Sequence, residues 1–204
     1  MDGRPVQPAA KKIYILLNKP VGYTSTRSDP HARHTVLELI EGVDAYLYPV
    51  GRLDVDTSGL LILTNDGDFT KLLTHPSHQV DKTYAAVVQG KISAHNLSRL
   101  EKGLRIEEGT TAPASARLIR YSRSSDTSAV EITIHEGRKR QVRRMFEVIG
   151  HAVTKLSRVR IGKLNLEGLS EGQFRYLTPK EVSELRKLAT PTKKERGVDP
   201  SERR

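Results

Sequence analysis

The sequence contains no cysteine, which excludes disulfides, thiolate nucleophiles and cysteine-ligated zinc together. That absence suits a reducing compartment, and the cytoplasm is the expected location. No apolar run approaches the roughly 18 residues that a membrane helix requires, and residues 1–10 lack the apolar centre of a secretory signal. Internal repeats, long low-complexity stretches and a phosphate-binding glycine loop are also missing. His75 and His78 have a proline between them and no carboxylate at helical spacing, so they read as loop residues rather than metal ligands. The expectation is a soluble, non-secreted chain that uses no cofactor and no metal.

What is present points to one sizeable core. The 204 residues are 36% hydrophobic with 15 glycines, which suits one large domain with a small appendage. The formal net charge is +10, and it is concentrated. Between Glu136 and Lys163 nine basic residues face only Glu136 and Glu147, and nine against two leaves +7. A dense positive segment is the footprint of a polyanion, most often a nucleic acid. Its plainer alternative is a solvated basic face kept for solubility.

Pattern and punctuation then give the elements. Lys12 to Leu17 is a β-rich run stopped by Asn18-Lys19-Pro20-Val21-Gly22. Thr35 to Ile40 predicts a short helix, and Tyr46 to Val50, Leu60 to Thr64 and Tyr84 to Val88 predict strands. A helix is expected around Phe69 to Leu73, and another from a Ser93 cap to Gly103. Ala114 to Tyr121 and Ala129 to His135 alternate and form an antiparallel pair. Val142, Met145, Phe146 and Ile149 make one apolar helix face. Thr178-Pro179-Lys180-Glu181 is a capping box for a last helix ending near Leu188. The fold class expected is α+β, a mostly antiparallel mixed sheet flanked by helices. Residues 1–10 read as a linker or remnant, 11–188 as the domain, and 189–204 as a disordered basic tail.

Two segments carry chemistry. Setting the stripe of Val142 and Phe146 against a core predicts that Lys139, Arg140, Arg143 and Arg144 point outward, with Gln141 among them. Lys155, Arg158 and Arg160 follow at alternating spacing, as on a strand beside that helix. The other segment, Gly51-Arg52-Leu53-Asp54-Val55-Asp56-Thr57-Ser58-Gly59, gathers a cation, two carboxylates and two hydroxyls. It has two ordinary readings: a turn whose Asp caps local amides, or a calcium loop. Against calcium, the position that needs a bidentate Glu is Asn65, and strands flank the loop.

That loop, continued by Leu60-Leu61 and Leu63-Thr64-Asn65-Asp66-Gly67, resembles the signature of RsuA-type ribosomal RNA pseudouridine synthases. Three more pieces stand in that family's order: Asn18-Lys19-Pro20-x-Gly22, Lys82-Thr83-Tyr84, and Glu136-Gly137-Arg138-Lys139-Arg140-Gln141-Val142-Arg143-Arg144-Met145 ahead of Leu156-x-Arg158. The similarity spans about Lys11 to Leu188. It departs at the start, where most members carry a small RNA-binding domain; Asp2-Gly3-Arg4-Pro5-Val6 resembles that domain's last strand.

The resemblance implies the pseudouridine synthase catalytic fold, an intramolecular rearrangement of uridine without cofactor or metal, and ribosomal RNA as partner, leaning toward the large subunit. It assigns the catalytic carboxylate to Asp54, acting as a nucleophile or as a base on the sugar. It makes Arg143 the cation beside that carboxylate, a phosphate contact being the alternative. Tyr84 would stack on the uracil, or else pack within the sheet. Arg52 would lie near the flipped base, Lys82 would give electrostatic support, and Arg138, Lys139, Arg140, Gln141, Arg144, Lys155 and Arg158 would grip RNA. The rival readings are a non-catalytic RNA-binding or ribosome-assembly module on the same surface, and a metal-dependent nuclease. A monomer is the default expectation.

Overall fold

The computed structural model describes residues 11–28 and 30–189. The expected remnant at 1–10 and the tail beyond Ala189 lie outside the described residues. Strands β1 (Tyr14–Lys19), β2 (Tyr48–Pro49), β3 (Ser58–Thr64) and β4 (Lys82–Gln89) come first, with helix α1 (Gly67–Thr74) between the last two. Helix α2 (Ala94–Lys102) leads to the hairpin β5 (Arg105–Ile106) and β6 (Gly109–Thr110), then to β7 (Ser115–Ser122) and β8 (Thr127–Ile134). Helix α3 (Gln141–Val148), β9 (Val153–Ile161), β10 (Leu164–Asn165), β11 (Phe174–Tyr176) and α4 (Pro179–Leu188) complete the order.

One nine-stranded sheet runs β11-β1-β3-β9-β4-β8-β7, with β2 beside β3 and β10 beside β9. Every pairing within it is antiparallel except β3 with β9, which meet only at Ser58–Ser157 and Gly59–Arg158. The sheet is therefore mixed and mostly antiparallel, and the α+β expectation holds. Ile15, Leu16 and Leu17 of β1 and Leu60 to Leu63 of β3 are fully buried, as a strand covered on both faces requires. Leu16, Leu60 and Ile62 pack with Phe69 and Leu73 of α1 and Leu185 of α4. The opposite face joins Ile15, Leu17, Leu61 and Leu63 to Tyr84, Ala86, Ile132 and Ile134, under Leu100 of α2 and Val142, Met145 and Phe146 of α3.

Capping follows the sequence where the chemistry is local. Ser93 accepts from Asn96 N, and Thr178 and Glu181 form the reciprocal box. Asp66 does more than cap α1: it accepts from Phe69 N (3.3 Å) and the Tyr14 hydroxyl (2.7 Å), and pairs with Arg186 of α4 (2.7 Å). Burial pushes the Asp66 carboxyl up, but these donors outweigh it and hold it below its ordinary value. Ala189, expected to open the tail, is buried at the end of α4.

Three expectations need correcting. β1 continues through Asn18 and Lys19, because the Lys19 ammonium finds carbonyl partners and can be buried. Arg143 does not point outward; it is 6% exposed, since a residue one step past Val142 lies at the edge of the apolar stripe. Arg158 and Arg160 do not share a face. Thr83 pairs with Arg160 and Tyr84 with Arg158, so Val159 is an extra residue that inverts the alternation. Arg160 consequently reaches Glu131 (2.9 Å), whereas Arg158 lies on the Tyr84 face.

The seam between β3 and β9 depends on Gly59. Its φ is +104°, and a Cβ there would strike the Arg158 carbonyl and come within 2.8 Å of Arg158 N. Gly59→Ala is expected to destabilise the fold by about 2–5 kcal/mol, from overpacking and an unfavourable φ. A urea midpoint within error of wild type would refute this.

Candidate active site

Residues 50–57 connect β2 to β3 and are pinned from several sides. Ser25 brackets Leu53, donating to its carbonyl (2.9 Å) and accepting from its amide (3.1 Å). Thr57 N returns to Asp54 O (3.0 Å), closing a turn with Asp in its first position. Gly22 N holds Val55 O (2.7 Å). Lys19, fully buried, donates to Thr57 O (2.8 Å) and Pro20 O (2.9 Å).

The two carboxylates of the loop diverge. Asp56 takes a two-point contact from Arg140, at 3.2 and 3.0 Å, and lies 3.4 Å from Arg143 Nε. Arg143 also donates to Asp56 O (2.7 Å) and Val153 O (3.1 Å). Burial pushes the Asp56 carboxyl up, yet the two guanidiniums prevail and hold it below its ordinary value. Arg140 adopts φ +52° at the start of α3, an uncommon conformation for a residue with a Cβ. The Arg143 guanidinium thus pairs with Asp56, where the resemblance implied Asp54.

Asp54 is half-buried and lines a cavity of about 350 Å³, a size suited to a small-molecule-sized group. Leu53, Tyr84, Val142 and Leu156 give it apolar wall, and Arg52, Lys82, Arg140 and Arg158 give it charge. Tyr84 is 9% exposed and stands opposite Arg158 on the neighbouring strand. Arg158 Nε donates to Leu60 O (2.8 Å), while its buried Nη2 has no partner. Thr57 Oγ1 is a second buried atom on this wall without one. Buried polar atoms of this kind are rare in folded proteins, and both are available to a group bound in the cavity.

The remaining candidates separate into two sets. Arg52 and Lys139 are exposed along the cavity. Arg138 is tied to the β5–β6 hairpin through Glu108 O and Thr110 O and to Glu136, and Arg144 pairs with Glu107 and Glu108. Gln141 is buried, bracing Glu136 (2.5 Å) and Arg138 N (3.1 Å). Lys155 pairs with Val87 and lies on the other side of the sheet from Tyr84, outside the cavity. Sequence reasoning missed His75 and His135, which line the cavity, and Lys19 as a holder of the loop. His135 and Lys19 adjoin or belong to recognised motifs, whereas His75 had no signal of its own.

Burial lowers both site lysines. Lys19 is pushed down to about 8 against the opposing charges of Asp56 and Asp54. Lys82 is pushed down to about 8 by burial and by the Arg158 charge. Between pH 8 and the ordinary lysine range near 10.5, the unfolded chain binds more protons, so these two groups make stability rise with pH there. Two lysine ¹³Cε resonances should titrate near pH 8, and Lys82→Met should remove one. Only resonances titrating near 10.5 would contradict the assignment.

Comparison with known proteins agrees with this architecture. Residues 13–148 match the sequence model of RNA pseudouridylate synthase. The chain is 51% identical over 177 residues to "Ribosomal large subunit pseudouridine synthase B" of Bacillus subtilis, covering 87% of this chain and 72% of the relative. It is 36% identical over 188 residues to "Ribosomal small subunit pseudouridine synthase A" of Salmonella typhimurium, covering 90% and 78%. A crystal structure of a pseudouridylate synthase superposes with a TM-score of 0.77 at 34% identity, over 86% of this chain and 74% of that one. The RsuA-type resemblance is upheld, and the chain belongs to the RNA pseudouridylate synthase family as an RNA pseudouridine synthase.

Proposed function

We propose that this enzyme isomerises a uridine of ribosomal RNA, in the large subunit, to pseudouridine, with Asp54 as the reacting carboxylate. The observation that carries this reading is the cavity itself. One ionisable carboxylate without an ion-pair partner among the described residues faces a space shared by an aromatic ring and by Arg52, Lys82 and Arg158, which form no ion pair among those residues either. The large-subunit target follows from the 51% identity to the Bacillus enzyme of that name.

The reaction breaks the bond between ribose C1′ and uracil N1, turns the base, and joins C1′ to C5. The C5 proton is lost and N1 gains one, so electrons balance without a redox partner. Asp54 either bonds to C1′ or removes a sugar proton, and cationic character at C1′ is stabilised by its charge in both cases. Tyr84 supplies the face on which the flipped base rests. Lys19 and Arg140 are the cations that act on Asp54 through space, while Arg143 works through Asp56 to hold the loop. Extruding the base costs roughly a few kcal/mol, which contacts of Arg52 and Lys139 with the phosphate backbone offset. The chemistry is intracellular RNA modification by a monomer in the cytoplasm.

The test is tritium release from large-subunit ribosomal RNA transcripts labelled at uracil C5. Wild type should release label, and Asp54→Asn should release none while its RNA affinity is retained. Equal release by both proteins would remove Asp54 from the reaction. Asp56→Asn breaks the two-guanidinium clamp, so kcat should fall about 10- to 100-fold from displacement of the loop, with RNA affinity little changed. An unaltered kcat would show that the clamp does not position Asp54.

A further inference from the structure

Lys82, half-buried, and Arg158, buried, are two like charges that line the same cavity. Arg158 is 3% exposed, and its Nη2 has no hydrogen-bond partner among the described residues. The Lys82 ammonium donates to Val80 O (3.0 Å). Among the described residues neither forms an ion pair with a carboxylate within 4.0 Å. Asp81, the acidic neighbour in sequence, is exposed. Buried charges are normally paired, and unpaired ones are expensive. This part of the cavity is short of one negative charge.

The position of the pair says which negative charge. Lys82 is two residues before Tyr84 on the same face of β4, and Arg158 is directly across from Tyr84 on β9. Cross-strand neighbours hold their Cβ atoms about 4.5–5.5 Å apart. Both cations therefore reach the edge of whatever ring lies on Tyr84. A backbone phosphate is served by exposed cations such as Arg52 and Lys139, and it lies outside a base pocket. The base itself becomes negative during the reaction. When the C1′–N1 bond breaks, its electron pair stays on N1 and spreads to the ring carbonyl oxygens.

We propose that Lys82 and Arg158 form the anion-stabilising edge of the base pocket, donating hydrogen bonds to the carbonyl oxygens of the detached uracil. The proposal rests on the isomerase reading above and deepens it. Stabilisation of this kind acts on the transition state for bond cleavage and raises kcat. The charge disappears again when C5 bonds to C1′, the C5 proton departs and N1 is protonated. The two cations then have no anion to hold, which favours release of the product.

The experiment compares single-turnover rates of C1′–N1 bond cleavage on large-subunit RNA transcripts containing uridine or 5-fluorouridine. With uridine the readout is pseudouridine formed; with 5-fluorouridine it is the rearranged 5-fluoro adduct, which accumulates because its C5 has no proton to lose. The fluorine makes N1 a better leaving atom. Lys82→Met should lower the rate on uridine RNA about 100-fold, the size expected for one oxyanion donor. The penalty should shrink to about tenfold or less on 5-fluorouridine RNA, with KM and salt dependence unchanged. Lys82→Arg should recover most of the rate. An equal penalty on both RNAs, or a loss confined to KM with a shallower salt dependence, would overturn the proposal and make Lys82 a phosphate contact. Arg158 also braces Leu60, so Arg158→Met is interpreted only if its melting curve matches wild type. Should wild type convert neither RNA, the target assignment fails separately. The anion site is then tested with free 5-fluorouracil, whose ¹⁹F line should broaden with wild type and not with Lys82→Met. No broadening with wild type would overturn the site.

Discussion

Asp56 sits between two guanidiniums, and the geometry of the site depends on that arrangement. Arg140 grips its carboxylate at two points, and Arg143 reaches both the carboxylate and the backbone carbonyl. Because Arg143 also donates to Val153 O, the clamp joins the loop, the first turn of α3 and the start of β9. Lys19 adds the end of β1 through Thr57 O. Charge-assisted hydrogen bonds in a partly dry setting are stronger than neutral ones and are costly to leave unmade. The network therefore fixes the loop more tightly than turn propensity alone, and Asp54 is presented without an ion-pair partner among the described residues. A carboxylate on a loop held in this way is pre-positioned.

The cavity beside the clamp exists because the sheet changes direction at β3 and β9. Their parallel contact covers two residue pairs, and Gly59 allows the backbones to approach there. Apolar packing supports each side: α1 and α4 on the β1–β3 region, α2 and α3 on the β4–β8 region. The bulge at Val159 turns Arg158 into the cavity and Arg160 toward Glu131. One inserted residue thus decides which of two neighbouring arginines lines the cavity.

Positive charge is divided between structure and recognition. Arg138 and Arg144 are spent on the β5–β6 hairpin and its Glu107 and Glu108, and Arg140 and Arg143 on Asp56. Arg52 and Lys139 remain exposed at the cavity, and Lys82 and Arg158 line it. A net charge counted along a segment consequently overstates the surface available to RNA. For Arg144 and Arg140 the counter-charges come from residues 36 and 84 positions away in the chain.

What the sequence determined by itself was whatever depends on near neighbours. The caps at Ser93 and Thr178, the apolar stripe of α3, the antiparallel β7–β8 pair and the absence of thiol chemistry all follow from residues a few positions apart. The family was legible for a related reason: its motifs are short and occur in order, so Asp54 and Tyr84 could be named before any fold was known. Tertiary structure decided the partners. Nothing local says that Arg143 should meet Asp56 rather than Asp54, that Lys19 can be buried against Thr57 O, or that Arg160 faces away from Arg158. A charged side chain is placed by whichever opposite charge or carbonyl the folded chain brings within reach, and that depends on long-range contacts and a single bulge. Periodicity records which face of an element is apolar, but not what stands opposite its polar edge.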